Sequence, residues 1–504
     1  VSRASDGVVK FGPWLPDIPT LDNPGLTEAL NVLPVARSYV PYRPLSTQQG
    51  ALASRPYGAI SVVDSDSNTI LYAGTATDLY QRSAATWVDR STAFSYTLST
   101  LDYWRFVQFD DFVIATSFSD VPQKLQIGAA ADFEDLADTG TAPNARQVGV
   151  IGRFVVLGDL DDPVDGRLPS AIQWSAIDDP TDWPTPDTAD ARTKQSGRQV
   201  QNGAGGPVTG IEGDEQFGII FQRSRISRAT YVGGDIVFQF DNIDSSRGCI
   251  CPNGIATIGK RRYFIASDGF YVTDGVNVEP IGDGQVDQWF LENWDQTYPE
   301  RVCSAVDLTK KIIYWAFPAS GNSGGQPNAL IVYNYIEQRW THAEQVAELI
   351  IPGLSLPTSI DDFDDLFASI DDIEPPLDSP FWAGGAAAIF GWDDDFQVGT
   401  LAGSPGTATL DGQEVELNPG LYTYVGGVKP LVTGNGSSAQ VTIALGQRNL
   451  LDDDPTYTAD TERTDSTGYC DFDTEARYNR TRMVIEGDFK QAIGVHFQQQ
   501  AAGT

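Results

Sequence analysis

From about residue 55 onward, short runs rich in Val, Ile, Phe, Tyr and Trp recur, each closed within a few residues by Gly, Asp, Asn or Pro. Almost nowhere do apolar residues return at the three-to-four spacing of an amphipathic helix. Such runs read as strands and the punctuation as tight turns, so an all-β chain is expected. Tyr57–Val63 and Asn68–Ala73 flank the turn Asp64-Ser65-Asp66-Ser67. Asp78–Arg82 with Thr86–Arg90 form a second hairpin. Tyr103–Phe109 and Phe112–Ser117 follow, then Gln147–Val150, Arg153–Gly158 and Ala171–Ser175. The series continues through Val208–Glu212, Phe217–Arg223, Ile226–Val232, Gly254–Ile258, Arg262–Ala266 and Gly269–Thr273. Val302–Asp307, Lys311–Phe317 and Leu330–Tyr335 close it.

Grouped in threes and fours, these runs make units of roughly 40 to 50 residues, the spacing of β-propeller blades. A polar turn leading to a Trp ends several units, at Trp87, Trp183, Trp289 and Trp340. A β-propeller over residues 55–398 is therefore expected, with two stacked sandwiches as the structural alternative. Ahead of it, residues 1–54 carry Pro13, Pro16, Pro19, Pro24, Pro34, Pro41 and Pro44, and read as an extended proline-rich arm that lies on a neighbouring surface. Trp14 and Leu15 among these prolines form an apolar strip that no local helix can bury.

An acidic insert at about 354–379 interleaves Asp361-Asp362, Asp364-Asp365 and Asp371-Asp372 with Phe363, Leu366, Phe367 and Ile373. It is expected as a surface loop or a short amphipathic helix. Residues 399–504 hold further strands, Ala408–Leu417, Gly420–Val432, Ala439–Arg448, Arg477–Glu486 and Gln491–Gln498, which suggest a C-terminal β-sandwich or closing sheet.

Charge narrows the partners. Lys and Arg number 33 against 68 Asp and Glu, a formal net charge of −35. Such a surface cannot hold nucleic acid by counterion release over most of its area, although it could form a wall that DNA slides past. A saline habitat, in which a large net charge keeps proteins dispersed, accounts for the same balance. Only 8 of the basic residues are Lys, which fits that second explanation. No run approaches the ~20 apolar residues of a membrane-spanning helix. The opening Val1-Ser2-Arg3 lacks the apolar stretch of a signal peptide, so neither membrane insertion nor classical secretion is expected.

Residues that could carry chemistry are sparse. Cys249, Cys251, Cys303 and Cys470 are too few for a disulfide scaffold, and Cys249 with Cys251 lack the second pair of a zinc site. Buried free thiols are expected. His342 and His496 lie near no GxSxG or HExxH pattern. Asp64-x-Asp66-x-Asn68 opens like a calcium loop, but Thr69 stands where the turn glycine belongs and Thr75 where the bidentate Glu belongs. Asp393-Asp394-Asp395 reads as a solvated turn after Trp392. Ser267-Asp268-Gly269 resembles the Asp-containing turns of sialidases, without the Thr-Trp pair that completes them. No P-loop or dinucleotide fingerprint occurs. No catalytic, cofactor-binding or metal-binding residue is therefore assigned, and no enzyme activity is expected.

One stretch resembles a known family. Arg262-Tyr263-Phe264-Ile265-Ala266-Ser267-Asp268-Gly269-Phe270-Tyr271-Val272-Thr273-Asp274-Gly275 is followed by Glu279-Pro280-Ile281-Gly282 and Val286-Asp287-Gln288-Trp289-Phe290. Val302–Asp307, Lys311–Pro318, Leu330–Tyr335 and Arg339-Trp340 continue it. This order is similar to the tail nozzle or tail-hub proteins of short-tailed bacteriophages, also called packaged-DNA stabilisation proteins. Asn23-Pro24-Gly25-Leu26, Asn31-Val32-Leu33-Pro34, Tyr42-Arg43-Pro44 and the late Arg477-Tyr478-Asn479-Arg480-Thr481-Arg482 resemble the same family. The resemblance implies a structural virion protein of the tail, a homohexamer without cofactors that continues the DNA-ejection channel below the portal and adaptor. Its implied partners are copies of itself, the adaptor and portal side of the tail, and tail fibre or needle proteins, with genomic DNA in passage through an acidic lumen. The alternative is a propeller-type adhesin that binds host glycan, or a tail glycosidase.

Overall fold

The computed structural model describes residues 7–20, 23–92, 95–234, 236–358, 363–367, 369, 373, 379–434 and 439–503. It is almost all β, with 51% of residues in strands and 6% in helix.

Seven antiparallel groups of four strands succeed one another among the described residues. The first joins Gly58–Val63, Thr69–Gly74, Leu79–Ser83 and Thr86–Asp89. The second begins at Arg105–Phe109, the third at Asn144–Ile151, the fourth at Val208–Gly213, the fifth at Ala256–Ile258 and the sixth at Cys303–Asp307. The seventh contains Leu349–Leu354, Ala387–Trp392 and Gln397–Thr400. Its fourth strand, Ser46–Ala51, comes from the N-terminal segment and pairs Gln397 with Ala51. Turns between strands are fixed by short polar side chains. The Asp64 carboxylate, for example, accepts from the backbone N–H of Asp66 and of Asn68, closing the first hairpin.

Each group packs on the next through its own apolar layer. Val62, Tyr72 and Leu79 of the first meet Trp104, Val113 and Leu125 of the second. Ile114 and Val155 join the second to the third, and Ile172 and Ile220 the third to the fourth. Phe221 and Phe264 join the fourth to the fifth, Phe270 and Trp315 the fifth to the sixth, and Tyr314 and Ile350 the sixth to the seventh. Trp392 and Phe390 of the seventh then lie against Leu71 and Ala73 of the first. Fully burying a large apolar side chain contributes about 1.5–3 kcal/mol, so each of these layers is a small core in itself.

Strands Tyr422–Gly434, Cys470–Ala476 and Phe489–Gly503 form a further sheet, extended by Val32–Val35 and Ser38–Pro41, with Val8–Lys10 on the last long strand. A second, formed by Glu28–Leu30, Thr407–Asp411, Gln440–Arg448 and Tyr478–Glu486, continues the sixth group through a parallel contact of Leu30 with His342. Val425, Val495 and Phe497 of one share a core with Ile443, Met483 and Ile485 of the other.

Two expectations change. The proline-rich segment does not leave its apolar strip for a neighbour: Trp14 and Leu15 are buried in their own chain. Proline bars the segment from helix but not from strand edges, and the unpaired sides of two sheets were available to receive it. Trp289 does not end a strand unit, since it lies on the helix Asp287–Asn293. In the acidic insert, a four-residue helix, Phe363–Leu366, precedes Phe367. Leu366 and Phe367 are buried against Trp382. Asp361, Asp362, Asp371 and Asp372 lie outside the described residues.

Candidate functional site where the first strands converge

The first strands of the groups approach so closely that a side chain is excluded at several points. A Cβ on Gly58 would lie 2.2 Å from the carbonyl oxygen of Trp104, and one on Gly213 only 1.6 Å from that of Val150. Glycine there lets backbone touch backbone across neighbouring groups. Between these strands lies a cavity of about 410 Å³ that Tyr57, Arg105, Glu212, Asn253, Thr257 and Ser304 help to line.

Its polar groups cross from one sheet to another. Arg105 of the second group lies 3.6 Å from Glu212 of the fourth, and the Thr257 hydroxyl of the fifth donates to the same carboxylate at 2.8 Å. The Asn253 amide donates to the carbonyl of Glu300 at 2.8 Å, and Ser304 donates to that of Ile255 at 3.0 Å. Arg301 and Glu348, both nearly buried, pair at 2.5 Å, and Gln326 donates to the second Glu348 oxygen at 2.9 Å.

Arg55 stacks on Tyr57 at 3.9 Å. Burial, and secondarily the charge of Arg301, lower its pKa to about 10. Burial raises the Glu300 carboxyl above its ordinary range, against the pull of Arg301, Arg55 and Arg146. Among the described residues, Arg55 Nε, Arg146 Nε, Arg301 Nε and Glu300 Oε1 are buried without a hydrogen-bond partner.

This arrangement clamps sheets together. The thiol of Cys303 is pushed up to about 11 by burial, so it stays protonated at neutral pH. The Ser304 hydroxyl is engaged with backbone carbonyls.

The residues singled out in the sequence scatter. His342 stacks on Trp14 and touches Glu28, while His496 faces the Tyr469 hydroxyl at 3.2 Å. Asp268 accepts from Arg247 at 3.2 Å and from Tyr271 at 2.9 Å. Hydrogen bonds from Asn68, first among the causes, hold the Asp64 carboxyl below the usual carboxylate range. The Asp393 carboxylate accepts from the backbone of Gln397 at 2.7 Å. All four cysteines are buried and free; Cys249 and Cys251 lie in a loop, not in a strand. Among the described residues, no group of three or more His, Cys, Asp or Glu could hold a metal ion. No described helix is long and apolar enough to cross a membrane.

One group went unread in the sequence. Asp287 accepts from the Phe270 N–H at 3.0 Å, and its carboxyl is pushed up to about 7 by burial, with Asp17, Asp283 and Asp268 nearby. Its slot exists because Gly269 and Gly282 have no Cβ, which would lie within 2.2 Å of it. Those two glycines, 13 residues apart, are the sequence signal for the slot.

No family model matches the chain, and no curated protein matches it. Solved structures give weak likenesses. The extracellular domain of a hybrid two component system from B. thetaiotaomicron aligns at a TM-score of 0.42 and 10% identity, over 81% of this chain and 45% of that one. The computationally designed Ika8 protein aligns at 0.38 and 10% identity, over 71% of this chain and 99% of that one. A chain of the mitotic checkpoint complex aligns at 0.38 and 9%, over 73% and 96%. Likeness at this level carries no argument about this chain.

Proposed function

We propose that the chain is a structural virion protein, a tail nozzle or hub subunit of a short-tailed bacteriophage, repeated around an axis to continue the DNA-ejection channel. In this reading the seven groups of strands are the blades of a β-propeller. Cyclic contact of the groups supports it, as does closure of the seventh by the N-terminal strand Ser46–Ala51. Closure of this kind leaves only short, protected edges and yields a rigid body suited to repetition.

The observation that carries the reading is where the family-like stretches meet. Glu28–Leu30, between the family-like Asn23–Leu26 and Asn31–Pro34, lies beside Arg339–Glu344 and pairs with Thr407–Asp411. Thr407–Asp411 in turn pairs with the strand that holds Tyr478–Arg482. Segments separated by hundreds of residues are thus consecutive strands of one sheet. A single structural unit under one constraint would carry its resemblance in this way.

Electron microscopy of the purified full chain tests the proposal. The expected image is a ring with a central hole. A population of single particles without rings, at every concentration tried, rejects it.

A further inference from the structure

Two adjoining concavities, of about 560 and 760 Å³, share Ala36 and Glu337. Together they are lined by Lys10, Arg37, Arg43, Lys310, Lys311 and Arg339, and by only two carboxylates, Glu337 and Asp488. Cations outnumber carboxylates threefold here, whereas carboxylates outnumber cations twofold in the whole chain. Arg43 is paired with Asp488 and Lys310 with Asp307. Lys10, Arg37 and Lys311 are exposed and make no ion pair among the described residues. Leu33, Val35, Val40 and Ile336 add apolar residues to the lining of the smaller concavity, Ile336 being 59% exposed. A lining that is basic and partly apolar calls for a partner that is acidic and apolar at once.

The same chain presents one. After the strand Gln440–Arg448, the turn Leu450-Leu451-Asp452-Asp453-Asp454 is exposed throughout, with Leu450 at 59% and Leu451 at 45%. It is held in shape from beneath. Arg448 donates to the carbonyls of Leu451 at 2.8 Å and Asp453 at 3.1 Å, and is itself fixed by Glu414 at 2.8 Å. A preorganised turn loses little freedom on docking.

Knob and groove cannot meet within one molecule. Arg448 pairs with Tyr478 and Gln440 with Glu486, so the knob adjoins one end of the strand Tyr478–Glu486 and the groove, through Asp488, follows the other. Eight residue steps of about 3.4 Å separate the two ends by ~27 Å.

We propose that the Leu450–Asp454 turn of one copy seats in the Lys310–Lys311 groove of the next. The contact is head-to-tail, and such contacts build rings when the rotation closes and filaments when it does not. The inference rests on the ring reading above and names the surface that makes the ring. It also gives the exposed cations of an acidic protein a reason: they are covered on assembly.

The test compares the full chain with three variants by sedimentation velocity, folding being checked by circular dichroism. K310E/K311E and L450D/L451D are each expected to weaken association roughly tenfold or more, about 1.4 kcal/mol. Mixing K310E/K311E with D452K/D453K is expected to restore oligomers that neither forms alone. If all variants assemble as the parent does, this contact is wrong and the ring reading stands. A parent that never associates removes both. Duplex DNA binding that K310E/K311E abolishes while assembly persists assigns the groove to nucleic acid and overturns the proposal.

Discussion

The backbone N–H of Phe270 donates to the Asp287 carboxylate across 3.0 Å, in a slot bounded by Gly269 and Gly282. This acid, with its pKa at about 7 in the folded chain, titrates near 3.9 when unfolded. The folded state therefore binds the proton more tightly, and stability contributed by this group is full below the unfolded value. It is lost as pH rises from about 4 through 7. D287N keeps an acceptor for Phe270 and removes the charge. Thermal denaturation is expected to show D287N more stable than the parent at pH 8, by on the order of 1 kcal/mol, and little different at pH 4. Equal stability at both pH values would show that the carboxyl is not destabilised by its slot.

Trp14 tests whether the N-terminal segment belongs to the folded body. It is 1% exposed, stacks on His342 at 4.7 Å and meets Trp289 edge-on at 4.9 Å. Truncating a buried Trp to Ala costs about 3–5 kcal/mol. W14A is therefore expected to lower the denaturation midpoint of the chain at concentrations too low for assembly. An unchanged midpoint, with assembly alone impaired, would restore the arm to a purely intermolecular role.

How much of this was legible follows from where each signal resides. Ile312–Phe317 and Phe217–Gln222 are wholly buried, so their apolar runs announce strands unaided. The strand Ser46–Ala51, S-T-Q-Q-G-A, is nowhere fully buried and has no such pattern; its place is set by residues far along the chain. Cys470–Ala476 does alternate, its exposed Asp471, Asp473 and Glu475 lying between Cys470, Phe472, Thr474 and Ala476, but only Phe472 on that inner face is a large apolar residue. Trp289 mimics a strand marker in the sequence because the seven residues of its helix are too few to display a 3.6-residue period. The convergence site was unreadable for a plainer reason. Arg55, Glu212, Arg301 and Glu348 are isolated charges whose proximity is created by the fold alone.

Arg82 is the means by which the first group holds that polar strand. Its guanidinium donates to the carbonyls of Gly50 at 2.8 Å and Gln49 at 2.6 Å, while Trp87 donates to Gly50 at 3.0 Å. Burial lowers the Arg82 pKa only to about 10, so it remains charged at neutral pH. R82M keeps the apolar stem and removes the donor to the Gln49 carbonyl, leaving that of Gly50 to Trp87 alone, a loss of about 1 kcal/mol. Hydrogen exchange is expected to quicken across Ser46–Ala51 and Gln397–Thr400 ahead of the rest of the chain. Uniform exchange in both proteins would mean the strand is held by its ladder alone.

The last prediction concerns DNA and separates two sources of the acidic charge. Duplex DNA carries one charge per ~1.7 Å, and exposed charges act over about 8 Å at physiological salt. A conduit for DNA needs a lumen that repels phosphate within that distance, so acidic excess must lie on the axial face. Adaptation to salt needs only an acidic exterior and places no demand on the lumen. If the cations of the Lys310–Lys311 groove are covered on assembly, rings should not retard duplex DNA at physiological salt, whereas the dissociated L450D/L451D variant should retard it weakly, with a small salt slope. Retardation by intact rings that falls steeply with salt would place cations on the channel wall. The −35 balance would then report habitat and not passage.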